Sequence, residues 1–205
     1  MKHSQTICLV FFLACLLCGC GSNPVWKRES FAFAIPADPP ASNSSTNIVA
    51  LRRVIVSPLF KSSSFTYRTA EDTYEQDPYA GFLVPPDRAL TEPILAGLRS
   101  RGGFGRVVEP GSALAPSLTV EATVTELDGD LRNAAHPVAE MEIHFIVYEV
   151  GEEAPGRVLL DKVCESHKPM DKHTPAALIA AWDADLREIM DELNSEYAKA
   201  NPHDR

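Results

Sequence analysis

The chain has 205 residues, with 28 Asp and Glu against 19 Lys and Arg, so its formal net charge is −9 at pH 7. This excess of carboxylates excludes nucleic acid as the main partner, because phosphate binding needs clustered Lys and Arg. It also gives no electrostatic attraction to anionic lipid headgroups. We therefore expect any membrane attachment to come from a lipid anchor rather than from surface charge.

The first 20 residues have the pattern of a bacterial lipoprotein signal. Lys2 precedes an apolar run of 12 residues, Ile7–Cys18, which is too short for a spanning helix of about 20 residues. Leu17, Gly19 and Cys20 then fit positions −3, −1 and +1 of a lipoprotein cleavage site. We predict cleavage between Gly19 and Cys20. We also predict lipidation of Cys20, where two or three acyl chains at about 0.8 kcal/mol per buried CH₂ form a lasting anchor.

Two alternatives concern these cysteines. Cys18 could be the acylated residue instead, although Leu17 is bulky for the position that precedes a cleavage point. An ordinary secretory signal with a chance cysteine is the other alternative. Downstream of Cys20 the sequence has one cysteine, Cys164, so no disulfide is expected within the domain.

The predicted boundaries divide the chain into a signal peptide (1–19), a lipidated tether (20–30), one domain (31–200) and a short tail (201–205). Removal of the signal leaves 186 residues, which is enough for one domain with its own hydrophobic core.

The first half of the domain predicts strands and then a helix. The strands are predicted at Phe31–Ile35 (closed by Pro36), at Ile48–Ser57, and in a hairpin formed by Phe65–Arg68 and Thr73–Glu75. The run Ile48–Ser57 is apolar on both faces, which indicates a central strand covered by a helix on at least one side. Leu90, Ile94 and Leu98 are spaced by four in a predicted helix from Asp87 to Arg101. Asp87 fits its N-cap, and Pro93 indicates a late start or a kink.

The second half predicts an antiparallel meander followed by a long helix. Alternating apolar and polar residues predict strands around 118–125, 140–147 and 157–166, with a turn at Asp128–Asp130. Thr174 and Pro175 fit an N-cap and the first helical position. The helix carries one apolar stripe: Leu178, Trp182, Leu186, Ile189, Leu193 and Tyr197. The predicted fold is therefore α+β, a two-layer sandwich in which two helices pack on one face of a mostly antiparallel sheet.

The sequence predicts no catalytic residues, no cofactor and no metal site. Glu140, Glu142 and His144 share one face of a strand and could be ligands. Because the other face of this strand is apolar, we interpret them as a solvated polar face. Cys164 lies in a predicted strand, where a cysteine usually behaves as a small buried hydrophobe.

Six aromatic residues fall within 23 positions: Phe60, Phe65, Tyr67, Tyr74, Tyr79 and Phe82. One small hairpin cannot bury all of them, so core packing and a partner surface are both open for this group. The candidate residues for a partner surface are Tyr74, Tyr79 and Phe82.

The order of these elements resembles the ABC-type transport auxiliary lipoproteins, the group that includes paraquat-inducible protein C. The resemblance follows the lipoprotein signal through Phe31–Pro36, Ile48–Ser57, Tyr67–Arg68, Phe82, Leu90–Leu98, Gly103–Phe104 with Val107, the meander and the final helix. It implies a non-enzymatic subunit, anchored by lipid in the outer membrane and facing the periplasm. In that position it would work with an MCE-domain protein and its ABC transporter, which move phospholipids or other hydrophobic molecules. Gly21 after the anchor cysteine fits outer-membrane sorting in such lipoproteins.

A second hypothesis keeps the anchor and makes the domain an activator of a peptidoglycan synthase. Lipoproteins of that kind usually carry a long tether that crosses the cell wall. Here about ten residues, 21–30, separate Cys20 from the first predicted strand, which counts against this alternative.

Overall fold

The computed structural model describes residues 27–35, 45–100, 103–109, 111–151 and 156–201. The predicted signal, the Gly19–Cys20 cleavage point and the lipidated Cys20 lie outside these ranges. The described strands are β1 Glu29–Phe31, β2 Ile48–Leu51, β3 Ile55–Val56, β4 Ser64–Ala70, β5 Thr73–Phe82, β6 Arg106–Val108, β7 Leu118–Asp130, β8 Val138–Glu149 and β9 Val158–Pro169. The described helices are α1 Pro86–Ala89, α2 Thr91–Ser100 and α3 Pro175–Ala200, and a 3₁₀ turn covers Pro58–Phe60.

All nine described strands belong to one sheet with β7 at its centre. The long pairings are antiparallel: β7 with β8, β8 with β9, and β4 with β5. The shorter pairings are parallel, and they join β7 to β2, β3 and β4, β2 to β6, and β1 to β5. The sheet is therefore mixed. The predicted hairpin, meander and α+β class are confirmed.

Helix α3 fastens the helical layer to the sheet. The hydroxyl of Thr174 accepts a hydrogen bond from the amide of Ala177 at 3.2 Å, which caps the helix as predicted. The whole predicted apolar stripe from Leu178 to Tyr197 is buried, and the helix packs on β8 and β9. Helix α2 lies beside α3 on the same side of the sheet. In the described parts of the chain, no helix is long and apolar enough to cross a membrane.

The helix predicted from Asp87 is in fact two helices. Pro85 is the N-cap of the short helix α1, so Asp87 lies inside the first turn and the N-cap prediction for it was wrong. Leu90 separates α1 from α2. Pro93 falls in the first turn of α2, where a missing N–H removes no helical hydrogen bond.

Three strand predictions also need correction. The first strand is Glu29–Phe31 rather than 31–35, and the run Ile48–Ser57 is divided into β2 and β3. The turn predicted at Asp128–Asp130 was wrong, because β7 continues to Asp130. Gly129 serves close packing there: a Cβ atom on this residue would lie 2.8 Å from Cδ1 of Tyr67.

Candidate functional site

The three residues predicted for a partner surface occupy three different environments. Tyr79 is 48% exposed, Tyr74 is half-buried and Phe82 is 5% exposed. The Phe82 ring lies 4.9 Å from the Phe65 ring and 5.5 Å from the Trp182 ring, measured between centroids. The end of β5 faces α3, so Phe82 belongs to the core and is removed from the candidate surface.

Other large exposed apolar side chains closely follow β5 and β1 in the chain. Leu83 is 67% exposed, Ile35 61% and Val84 42%. The amide of Leu83 donates a hydrogen bond to the Phe31 carbonyl at 2.8 Å, which fixes the end of β5 beside β1. We call Ile35, Tyr79, Leu83 and Val84 the apolar rim. Side chains of this kind on one edge are typical of an interaction surface.

A second group of functional side chains lies on the face of the sheet opposite to the helices. Oxygen atoms of Glu126, Asp128 and Glu140 lie within 4.8 Å of one another. Asp128 is opposite Glu140 in the pairing of β7 with β8. A register shift between Val124 and Glu126 places both Glu126 and Asp128 on the face of Glu140, opposite to the face of Val124. We call these three residues the acidic triad.

The acidic triad has strongly perturbed electrostatics. Burial, followed by the charges of Glu126 and Glu140, raises the pKa of Asp128 to about 8, although Arg68 opposes the rise. Burial and then the neighbouring Glu140 raise the pKa of Glu126 to about 7. Perturbed carboxyl groups of this kind cluster at functional sites.

Tyr74 borders the acidic triad rather than the apolar rim. It is opposite Arg68 in the β4–β5 pairing, and the Arg68 guanidinium lies 5.7 Å from the centroid of its ring. Burial raises the pKa of Tyr74, and the carboxylates of Asp128 and Glu126 act in the same direction. Tyr74 and Arg68 therefore form part of the wall around the triad.

The other polar side chains of strand β8 point to separate partners. Nε2 of His144 lies 2.6 Å from a carboxylate oxygen of Asp161. Glu142 accepts a hydrogen bond from the Thr125 hydroxyl at 2.5 Å. Glu140, Glu142 and His144 therefore do not converge as one ligand set, and only Glu140 joins the triad.

Cys164 is fully buried, as its strand pattern indicated. Burial, together with the nearby Glu192, raises the pKa of its thiol to about 12. The side chain is then a neutral thiol at physiological pH and not a thiolate nucleophile.

Sequence reasoning missed Glu126 and Asp128 because it ended the strand too early. The Asp-Gly-Asp sequence is typical of a turn, and no local signal marks the register shift that brings Glu126 and Asp128 onto the face of Glu140. The sequence did contain one usable signal. Apolar and polar residues alternate from Leu118 to Thr125, which indicates a strand that can continue through the Asp-Gly-Asp segment, as β7 does.

Together these features define a two-layer α+β domain with an apolar rim next to β1 and β5 and an acidic triad, which includes the buried Asp128, on its helix-free face. The family model for the ABC-type transport auxiliary lipoprotein component matches residues 31–194. The chain therefore belongs to this family, a class of auxiliary lipoproteins of ABC-type transport. No curated protein sequence matches the chain.

Two solved structures with TM-scores of 0.65 show the same fold at low sequence identity. A protein from Xanthomonas campestris aligns with a TM-score of 0.65 and 16% identity, covering 87% of this chain and 97% of its own. A second structure aligns with a TM-score of 0.65 and 13% identity, covering 83% of this chain and 98% of its own. A Chlamydia trachomatis protein aligns less well, with a TM-score of 0.47 and 15% identity over 75% of this chain and 98% of its own.

Proposed function

We propose that this protein is a non-enzymatic subunit of an MCE/ABC-type lipid transport system, anchored by lipid in the outer membrane and facing the periplasm. Its role is to dock the MCE assembly at that membrane. The observation that carries the proposal is the family match over 31–194, which follows directly after the lipoprotein cleavage pattern at Leu17–Cys20.

The apolar rim supports a docking role. Its residues lie in or just after β5 and β1, the strands at one edge of the sheet, and β9 is the edge on the opposite side. Large exposed apolar side chains gain free energy when a partner removes them from water, at roughly 25 cal/mol per Å². We expect the MCE-domain protein to contact this rim, with the ABC transporter associated through it. Phospholipids or other hydrophobic molecules are the expected cargo of the system.

Site-specific crosslinking in intact cells tests the proposal. A photoreactive amino acid is placed at Tyr79 or at Leu83 on the rim, and in a matched control at Glu165, which is exposed on β9. After irradiation, the crosslinked partner is identified by mass spectrometry. The expected result is an MCE-domain protein trapped from the rim positions and not from Glu165.

A trapped penicillin-binding protein would overturn the transport proposal and support the peptidoglycan synthase alternative. If an MCE-domain protein is trapped from Glu165 alone, the transport proposal stands, but the apolar rim is not the surface that contacts the MCE-domain protein. The experiment therefore separates the identity of the partner from the location of the contact.

A further inference from the structure

We propose that Glu126, Asp128 and Glu140 bind a divalent cation, and that Ca²⁺ is the ion that fits them. The three carboxylates come from two neighbouring strands and converge on one point of the helix-free face. All three donors are oxygen atoms, which suit hard cations such as Ca²⁺ and Mg²⁺.

Asp128 provides an observation that is independent of the clustering. Its side chain is 0% exposed, and neither of its carboxylate oxygens has a hydrogen-bond partner. Burial of a carboxylate without a partner costs several kcal/mol, so buried charges in proteins are paired or coordinate metals. One oxygen of Asp128 lies within 4.8 Å of ligand atoms of Glu126 and Glu140, so this buried group is aimed into the triad.

The nearby arginines do not supply the missing partner. The guanidinium of Arg132 donates to both carboxylate oxygens of Asp130 and to Glu71, and it lies 4.0 Å from Glu140. Arg68 donates to the backbone carbonyl of Glu71 at 2.7 Å. Neither guanidinium donates a hydrogen bond to Asp128, so both oxygens of this buried carboxyl group stay without a partner.

The spacing of the oxygens admits Ca²⁺, whose flexible coordination suits this irregular site better than the near-ideal octahedron that Mg²⁺ demands. Two oxygens bound to one ion cannot be farther apart than twice the metal–oxygen distance, which is about 4.6–5.2 Å for Ca²⁺ and about 4.0–4.2 Å for Mg²⁺. The 4.8 Å limit within the triad meets the first condition as the side chains stand. Glu126 is half-buried, so solvent reaches this side of the triad and can complete the coordination of the ion.

Calorimetry and thermal unfolding of the purified protein test this proposal. After treatment with a chelator, the protein is titrated with CaCl₂ and, in parallel, with MgCl₂ and ZnCl₂. The variants are Asp128→Asn, Glu140→Gln and the control Glu165→Gln, which removes one carboxylate from the same sheet face outside the triad. Saturating CaCl₂ should raise the Tm of the wild type and of Glu165→Gln by several degrees.

Asp128→Asn should be at least as stable as the chelated wild type, because an amide cannot acquire the charge that burial opposes. It should then gain no stability from CaCl₂, and Glu140→Gln should bind Ca²⁺ at least tenfold more weakly. Equal responses in the wild type and Asp128→Asn, or no heat of binding at millimolar CaCl₂, would overturn the proposal. A response to ZnCl₂ alone would overturn the assignment to a hard cation. The outcome does not depend on the transport role.

Discussion

Trp182 joins the two layers of the domain through its ring and its indole N–H. The ring is fully buried against Phe65, Phe82 and Phe33, and the N–H donates to the backbone carbonyl of Glu140 at 3.1 Å. Trp182→Ala should lower the free energy of unfolding by about 3–5 kcal/mol, since it leaves a large cavity.

Two further variants separate the contributions of Trp182 in urea denaturation. Trp182→Phe keeps most of the ring contacts and loses the hydrogen bond, so the expected cost is about 1–2 kcal/mol. The control Leu83→Ala, on the exposed rim, should change stability by about 0.5 kcal/mol or less. A cost for Trp182→Ala as small as that of Leu83→Ala would contradict the packing described above.

Among the residues that the structure describes, Asp185 is a second buried carboxylate besides Asp128, and it predicts a pH dependence. It is fully buried in α3, facing Ser166 and Lys168 of β9, Glu188 of its own helix and, farther away, Glu140 of β8. Burial raises its pKa to about 7, although Ser166 and Lys168 oppose the rise. Between about pH 4 and pH 7, Asp185 is therefore protonated in the folded state, whereas in the unfolded chain, where its pKa is about 3.9, it has already released the proton.

This proton determines the direction in which stability changes with pH. The contribution of Asp185 to the free energy of unfolding is largest below about pH 4. It decreases as the pH rises to about 7 and does not change further above that. Asp185→Asn should match the wild type near pH 4 and exceed its stability at pH 8 by on the order of 4 kcal/mol. Denaturant unfolding at a series of pH values measures the difference. A difference that is the same at pH 4 and pH 8 would refute the assignment.

At the level of elements, Gly97 sets the contact between the two long helices. A Cβ atom on Gly97 of α2 would lie 2.6 Å from Cγ of Met190 in α3. In an open helix, Gly→Ala stabilises by about 1 kcal/mol, whereas overpacking costs about 1–3 kcal/mol. Gly97→Ala should therefore destabilise the wild type.

In the Met190→Ala background the same change should stabilise the protein, and a double-mutant cycle by thermal unfolding measures this reversal. The same sign in both backgrounds would show that the helices do not touch at this point.

The elements that the sequence predicted well are those whose pattern is local. Helix α3 has its N-cap Thr174 and a continuous apolar stripe, and the meander has strict alternation, so each could be recognised without its partners. The parallel pairings of β1 and β2 could not be predicted, because they join segments far apart in the chain. Asp128 shows the same limit, since its burial depends on the register shift in β7 and on the hairpin that carries Tyr74.

At the level of the whole molecule, the fold persists where the sequence does not. The Xanthomonas campestris protein shares 16% identity over 87% of this chain, and the TM-score is still 0.65. This is expected when the pattern of buried and exposed positions defines a fold rather than individual residues. Exposed positions such as those of the apolar rim are then free to differ between relatives, and they are the places to look for what is particular to this protein.

The proposed anchor makes a prediction for the whole molecule that uses a matched pair of cysteines. Cys20→Ser should leave a folded domain that no longer fractionates with membranes and no longer incorporates labelled palmitate, because the thiol that carries the lipid is gone. Cys18→Ser changes the same atom two residues earlier and should keep both properties. Membrane fractionation of both variants, with circular dichroism of the purified proteins as the check on folding, measures the result.

If Cys18→Ser is released from the membrane and Cys20→Ser is retained, the lipid is on Cys18. If both variants stay with the membrane and neither loses the label, the domain is held there by something other than an acyl chain on this segment.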